Sequence, residues 1–210
     1  MRIKTEEKRQ AILEVATAVF RELGFERASM SEICTRLGGS KATLYNYFPS
    51  KEALFVEVMF RAFEADFHNT LAALQTGDAD MAQALRTFGR RFMALLYTPE
   101  VVAVRRLLVA EGDRSQIGAN CYAQGPCRSH ALIAAFLERA MARGLLRTAC
   151  ADLASRQLLA LLQAEVIECF MFQHQPLPPI DEIQACADRG TEAFLRLYAP
   201  QGPAASMASH

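Results

Sequence analysis

Lys41, Thr43, Tyr45, Tyr47 and Lys51 are crowded into one short run, SKATLYNYFPSKE. Their hydroxyl and ammonium groups are donors that suit phosphate oxygens. Tyr45 and Tyr47 are poor choices for a simple core helix, although a tyrosine body can also pack against a neighbour. Lys51 falls in the first turn of a following helix, where backbone N–H groups can also meet a phosphate. Ser40, Lys41, Ala42 and Thr43 give that helix a small or polar leading face, which a groove-entering helix requires. The competing reading is a plain helical hairpin at a protein surface.

Other reactive residues form weaker groups. Cys121, Cys127 and His130 make a C-x5-C-x2-H pattern that matches no standard zinc spacing. With a further ligand it could bind zinc, or its thiols could sense oxidant. The six cysteines form no CxxC pair, and Cys34 suits a small core position. Glu111, Glu165 and Glu168 sit inside apolar helical runs, where a carboxylate must be paired, hydrogen-bonded or exposed. Glu111 is expected to pair with Arg105 or Arg106, and Glu165 is a candidate to meet a cationic ligand. No phosphate loop, HExxH or GxSxG is present, and the scattered His68, His130, His174 and His210 offer poor catalytic material. No cofactor and no resident metal are expected, and an enzyme built on a helical bundle is the least favoured reading.

The elements that must position these groups are helical. Apolar residues from Ile12 to Leu23 recur at three- and four-residue steps, predicting a helix capped by Thr5 and ended by Gly24. Ser29-Met30-Ser31-Glu32 predicts a capping box for a second helix ending at Leu37. Gly38 supplies the turn, Ser40 caps a third helix to Phe48, and Ser50 caps a fourth. Further helices are expected near 50–75, 79–97, 99–112, 115–122, 125–143, 151–174 and 179–198. Ile33, Leu44 and Phe48 are assigned to the core. Helix, glycine turn and short helix is the helix-turn-helix layout, whose second helix enters the major groove.

Composition agrees with helix. About half the residues are apolar, Gly and Pro are sparse, and strand-like alternation is hard to find. Net charge is zero, and residues 1–50 carry eight Lys/Arg against six Asp/Glu, so any DNA binding must rest on placed contacts. No signal peptide and no membrane-spanning run are apparent, giving the expectation of a cytoplasmic protein. Near the C-terminus, Ile180, Ile183, Ala187, Gly190, Phe194 and Leu197 step by 3-4-3-4-3, a seam suited to helix packing. The preceding helix is apolar almost all round. Leu158, Leu162, Ile183, Ala187, Gly190 and Phe194 are therefore expected at a subunit interface.

Residues 8–55 resemble the DNA-binding domain of the TetR family of bacterial transcriptional regulators. The resemblance rests on Ile12 to Phe20, Gly24-Phe25, Ser29, Glu32-Ile33, Gly38 and above all SKATLYNYFPSKEAL. Two positions depart from the pattern: Gly39 stands in place of a packed valine, and Leu37 in place of a small residue, which can refill the space. The resemblance implies that Ser29 caps its helix at a phosphate and that Lys41, Ala42 and Thr43 face base edges. It implies that Tyr45, Tyr47 and Lys51 hold the DNA backbone. Ala42 then suits a thymine methyl and Lys41 a guanine edge. Arg105 to Arg147 resembles the AefR-like C-terminal type, associated with efflux and related responses.

The expected fold is all-α, with about nine to ten helices. A three-helix DNA-binding domain (1–50) precedes a ligand-binding and dimerisation domain (51–199) and a disordered tail (200–210). The expected effector pocket has walls among Phe63, Phe67, Phe92, Met93, Tyr97, Leu108, Tyr122, Phe136, Leu161, Glu165 and Phe170, although aromatic stripes are core more often than pocket. The expected function is a homodimeric repressor of a near-palindromic operator, released by a small, largely apolar effector. The alternative is a thiol- or metal-responsive regulator of the same fold using Cys121 and Cys127.

Overall fold

A computed structural model describes residues 5–75, 80–111, 117–172 and 176–200. Among them lie eleven helices: α1 Glu6–Arg27, α2 Met30–Leu37, α3 Lys41–Tyr47, α4 Lys51–Gln75, α5 Met81–Leu96, α6 Pro99–Glu111, α7 Ile117–Gln124, α8 Pro126–Ala142, α9 Ala151–Gln163, α10 Ile167–Phe172 and α11 Ile180–Leu197. No strand occurs among the described residues. The expected tail falls almost wholly outside them, as does His174.

Local chemistry sets most helix starts. Thr5, Ser29, Ser40 and Asp80 each accept the backbone N–H three residues on, and Ser50 does the same for Ala53. The capping box at Ser29 forms only in part. Ser29 accepts from Glu32 N–H at 3.1 Å, but the Glu32 carboxylate takes the Arg36 guanidinium at 2.8 Å. Arg36 also reaches Glu22 at 2.6 Å, and this second carboxylate makes the guanidinium the better partner.

One helix boundary matches expectation closely and another differs. Gly24 ends the long run of α1 as expected, its φ of 74° and ψ of 167° being non-helical and suited to glycine, and beyond this kink a separate short turn completes the span to Arg27. The single helix expected over 151–174 is two, α9 and α10. In the turn between them Val166 N–H reaches back three residues to Gln163 O at 3.0 Å. The tight turn keeps both Val166 and Phe170 buried, so no glycine or proline marks the break.

The chain forms two compact units. The first holds residues 1–65 and 103–121, the second 66–102 and 122–210. In the first, Ile12, Ala16, Val19, Ile33, Leu44 and Leu54 are completely buried. Each large aliphatic among them contributes about 1.5–3 kcal/mol by leaving water. Phe25 closes this core against Phe55, with ring centroids 4.8 Å apart.

In the second unit α5, α9 and α11 pack most closely. A Cβ added to Gly190 would stand 2.5 Å from Leu161 O and 2.9 Å from Leu162 Cα. One added to Gly89 would meet Thr191 Oγ1 at 2.9 Å. The 3-4-3-4-3 seam is real, but it is filled from within. Leu158, Leu162, Ile183, Ala187, Gly190 and Phe194, expected at a subunit interface, are all buried in this unit's own core. Arg147 fastens the end of α11, donating its backbone N–H to Tyr198 O and its side chain to Leu197 O.

Candidate nucleic-acid interface

Between α2 and α3 the chain turns at Gly38, whose φ of 67° and ψ of 27° are left-handed. Gly39 follows. Its carbonyl accepts the Cys34 thiol at 3.0 Å, so that cysteine does more than fill space. A Cβ on Gly39 would lie 3.6 Å from Leu37 Cδ2, an ordinary contact. Leu37 thus stands beside the space that a residue at position 39 would fill.

Ser40 accepts Thr43 N–H at 3.1 Å, and its hydroxyl is 2.9 Å from the Thr43 hydroxyl. This local knot half-buries Thr43 and fixes the leading turn of α3. Leu44 and Phe48 point inward and are buried. Lys41, Ala42, Tyr45 and Asn46 face outward, with Tyr45 47% exposed. Asn46 was missed in the sequence reading, although its i+4 relation to Ala42 puts it on the same face. Ser29 is also exposed.

Tyr47 and Lys51, both half-buried, are tied to the protein's own backbone. Tyr47 Oη accepts the backbone N–H of Thr5 at 2.9 Å. Lys51 Nζ donates to Phe25 O at 2.9 Å and lies 4.2 Å from the centre of the Phe25 ring. Arg9 of α1 binds Glu57 of α4 at 2.6 Å and sits 5.5 Å from the centre of the Phe48 ring. α3 is too short to be stable alone, and these ties hold it.

The other candidates are spread more widely. Phe63 and Leu108 are half-buried residues of the first unit; the remaining pocket candidates belong to the second. Met93, Tyr97, Phe136 and Phe170 are buried there, and Phe67, Phe92 and Leu161 pack against that core while partly exposed. The Tyr122 and Glu111 side chains lie outside the described set. Glu165 is exposed and bound by both sides of the Arg189 guanidinium, at 2.9 and 2.6 Å. The Arg189 guanidinium holds its carboxyl below the usual range. An open groove of about 530 Å³ runs along α5 and α11, lined by Arg86, Arg90, Asp188, Arg189, Glu192, Ala193 and Arg196, none of them an expected pocket wall.

Cys121 is half-buried, and burial pushes its thiol up to about 11, the reverse of what a thiolate sensor needs. Cys127 is exposed on α8. Among the described residues no group of three or more His, Cys, Asp or Glu could hold a metal. None of the described helices is long and apolar enough to cross a membrane.

Comparison with known proteins resolves the helix-turn-helix. Residues 12–58 match the model of bacterial regulatory proteins of the tetR family, and residues 83–200 match the C-terminal domain of AefR-like transcriptional repressors. The chain belongs to the TetR family. It is a DNA-binding transcriptional regulator, in a family of regulators rather than enzymes. A TetR-family regulator structure from Mesorhizobium loti is 32% identical, with a TM-score of 0.76 over 93% of this chain and 100% of that one. The flavonoid-responsive regulator FrrA is 29% identical, with a TM-score of 0.65 over 94% of this chain and all of that one. The transcriptional activator FasR of Mycolicibacterium smegmatis is 36% identical over 85 residues, 40% of this chain and 38% of FasR. The chain spans only 30% to 38% of the length of the curated relatives it matches.

Proposed function

We propose that this TetR-family regulator is a homodimeric repressor that reads a near-palindromic operator through α3 and is released by a small, largely apolar effector. In this reading residues 1–50 are the DNA-reading domain and 51–199 the effector and dimerisation domain. The outward face of α3 carries it: Lys41, Ala42, Tyr45 and Asn46 project from a helix whose other side is buried. Lys41 suits a guanine edge, Ala42 a thymine methyl and Asn46 an adenine edge. Ser29, Ser40, Thr43 and Tyr45 suit phosphates, while Tyr47 and Lys51 act chiefly by holding α3 in place. Two copies of α3 would enter successive major grooves about 34–36 Å apart.

The AefR-like repressor match favours repression. The likeness to a flavonoid-responsive regulator favours an aromatic effector, held by Phe67, Phe92 and Leu161 at the margin of the second unit's core. Efflux is the process such an effector would induce. Because the seam residues are used internally, dimerisation falls to the outer faces of α9 and α11. Leu153, Ala160, Ala164, Ala193 and Leu197 are exposed there. The alanines allow close helix approach, and Leu153 and Leu197 supply apolar surface to bury.

The test is selection of duplexes from a random pool by the full chain, followed by Kd measurement and light scattering. The expected result is a dimer on a two-fold symmetric site. Lys41→Ala should weaken binding and relax one base position by about 1–3 kcal/mol. A monomer on DNA, or unchanged base preference in Lys41→Ala, overturns the reading.

A further inference from the structure

α3 has only seven residues, so its bearing is imposed by whatever grips its ends. Its N-terminal end is local, held by Ser40. Its C-terminal end is gripped by the first turn of α1 at two adjacent residues. Thr5 N–H reaches Tyr47 Oη, and the Arg9 guanidinium lies against the Phe48 ring. The same guanidinium carries a 2.6 Å ion pair to Glu57, about two turns into α4. Both partners are largely shielded, with side chains 33% and 21% exposed, so the pair is screened less than an open surface bridge. Arg9 thereby joins α1, α4 and the C-terminal end of α3, while α2 packs along α3 itself. The chain between α3 and α4 constrains their distance but not their angle.

We propose that Arg9 is a positioning residue for DNA recognition: clamped between Glu57 and Phe48, it sets the angle of α3 against α1 and α4. This rests on the reading that α3 meets the bases. The planar guanidinium is suited to the task, because one side chain can offer an edge to a carboxylate and a face to a ring. α3 is about 10 Å long at 1.5 Å per residue. A small change of angle at Phe48 is therefore amplified at Lys41, where base contacts tolerate little displacement.

The test compares wild type, Arg9→Met, Glu57→Gln and the double variant on two duplexes. One is selected from a random pool by the wild-type chain, and the other is an unrelated sequence of equal length. Kd is measured between 50 and 200 mM salt, with Tm recorded for each variant. The expected result is roughly a tenfold loss on the selected duplex for either single variant, with no further loss in the double, as residues acting as one unit require. The slope of log Kd against log salt and the affinity for the unrelated duplex should not change. If Arg9 instead contacts phosphate, Arg9→Met should lower the slope by about 0.9 per protomer and weaken both duplexes. That result overturns the proposal, as does unchanged affinity for the selected duplex. Should Arg9→Met fail to fold, the near-isosteric Glu57→Gln tests the clamp alone: a roughly tenfold loss confined to the selected duplex supports it, and unchanged affinity for that duplex overturns it. Lys41→Ala separates the underlying reading: if it leaves base preference intact, α3 is not the reader, whatever Arg9 does.

Discussion

Gly190→Ala adds one methyl group where α9 and α11 touch backbone to backbone. The new Cβ would stand 2.5 Å from Leu161 O, 2.8 Å from Leu161 C and 2.9 Å from Leu162 Cα. None of these atoms can rotate away. Ordinary contact begins near 3.4 Å, so the two helices must part by roughly an ångström. That separation loosens the contacts around Leu158, Leu162, Ala187 and Phe194, where even a small gap forfeits about a quarter to a half of each dispersion well. Overpacking of this kind costs about 1–3 kcal/mol and occasionally more. Against it stands the helix propensity of alanine over glycine, about 1 kcal/mol. The net loss is on the order of 2 kcal/mol if the strain takes the upper part of that range. At about 2–4 °C per kcal/mol for a chain of this size, Tm should fall by about 4–8 °C. Thermal unfolding followed by circular dichroism measures it. Gly89→Ala is the comparison: its new Cβ meets the Thr191 hydroxyl at 2.9 Å and Leu162 Cδ2 at 3.0 Å, both movable side-chain atoms. It should cost less. A Gly190→Ala protein as stable as wild type, or one less affected than Gly89→Ala, would refute the reasoning.

Other outcomes follow from the same geometry. Gly39→Ala places its methyl 3.6 Å from Leu37 and should stabilise the protein by about 0.4–1 kcal/mol through the unfolded chain, read as a higher denaturation midpoint. His130, half-buried on α8 with Nδ1 3.4 Å from Ser155 Oγ, has its pKa lowered by burial and then by Arg156, while Asp152 opposes. The folded state therefore resists its protonation. Its contribution is fully present above about 6.5, the ordinary histidine value, and is lost as pH falls below that. His130→Gln should flatten the stability profile just below about pH 6.5 in urea titrations, and an unchanged slope would count against it.

Much of the fold could be read because its causes are local. Ser29, Ser40 and Ser50 sit beside the N–H groups they cap, and Gly38 lies one residue past α2. The outward face of α3 follows from the same periodicity, and Asn46 could have been named from it. The failures were of distance. Nothing near Lys51 in sequence announces that it will bind Phe25 O, 26 positions away, or that Tyr47 will bind Thr5, 42 away. Glu165 meets Arg189 across 24 positions, a pairing that its own apolar run does not announce. The seam through Ile183, Ala187, Gly190 and Phe194 was legible as a seam. A 3-4 repeat is the same whether the partner helix is in the same chain or another, and here α9 and α5 occupy it. The break between α9 and α10 left no sequence mark, because a single three-residue turn shifts the buried face without a special residue.

The hydrogen bond from Thr5 to Tyr47 bears on how the protein should be handled at the bench. It puts the point where the chain enters α1 within 2.9 Å of a residue on the DNA-reading helix. A purification tag joined at the N-terminus therefore begins only four residues ahead of that contact. Cleavage scars or charged linkers there add their own charge to any measurement of DNA affinity and salt dependence. A tag joined at the other end follows the second unit instead, where Arg147 fastens the end of α11.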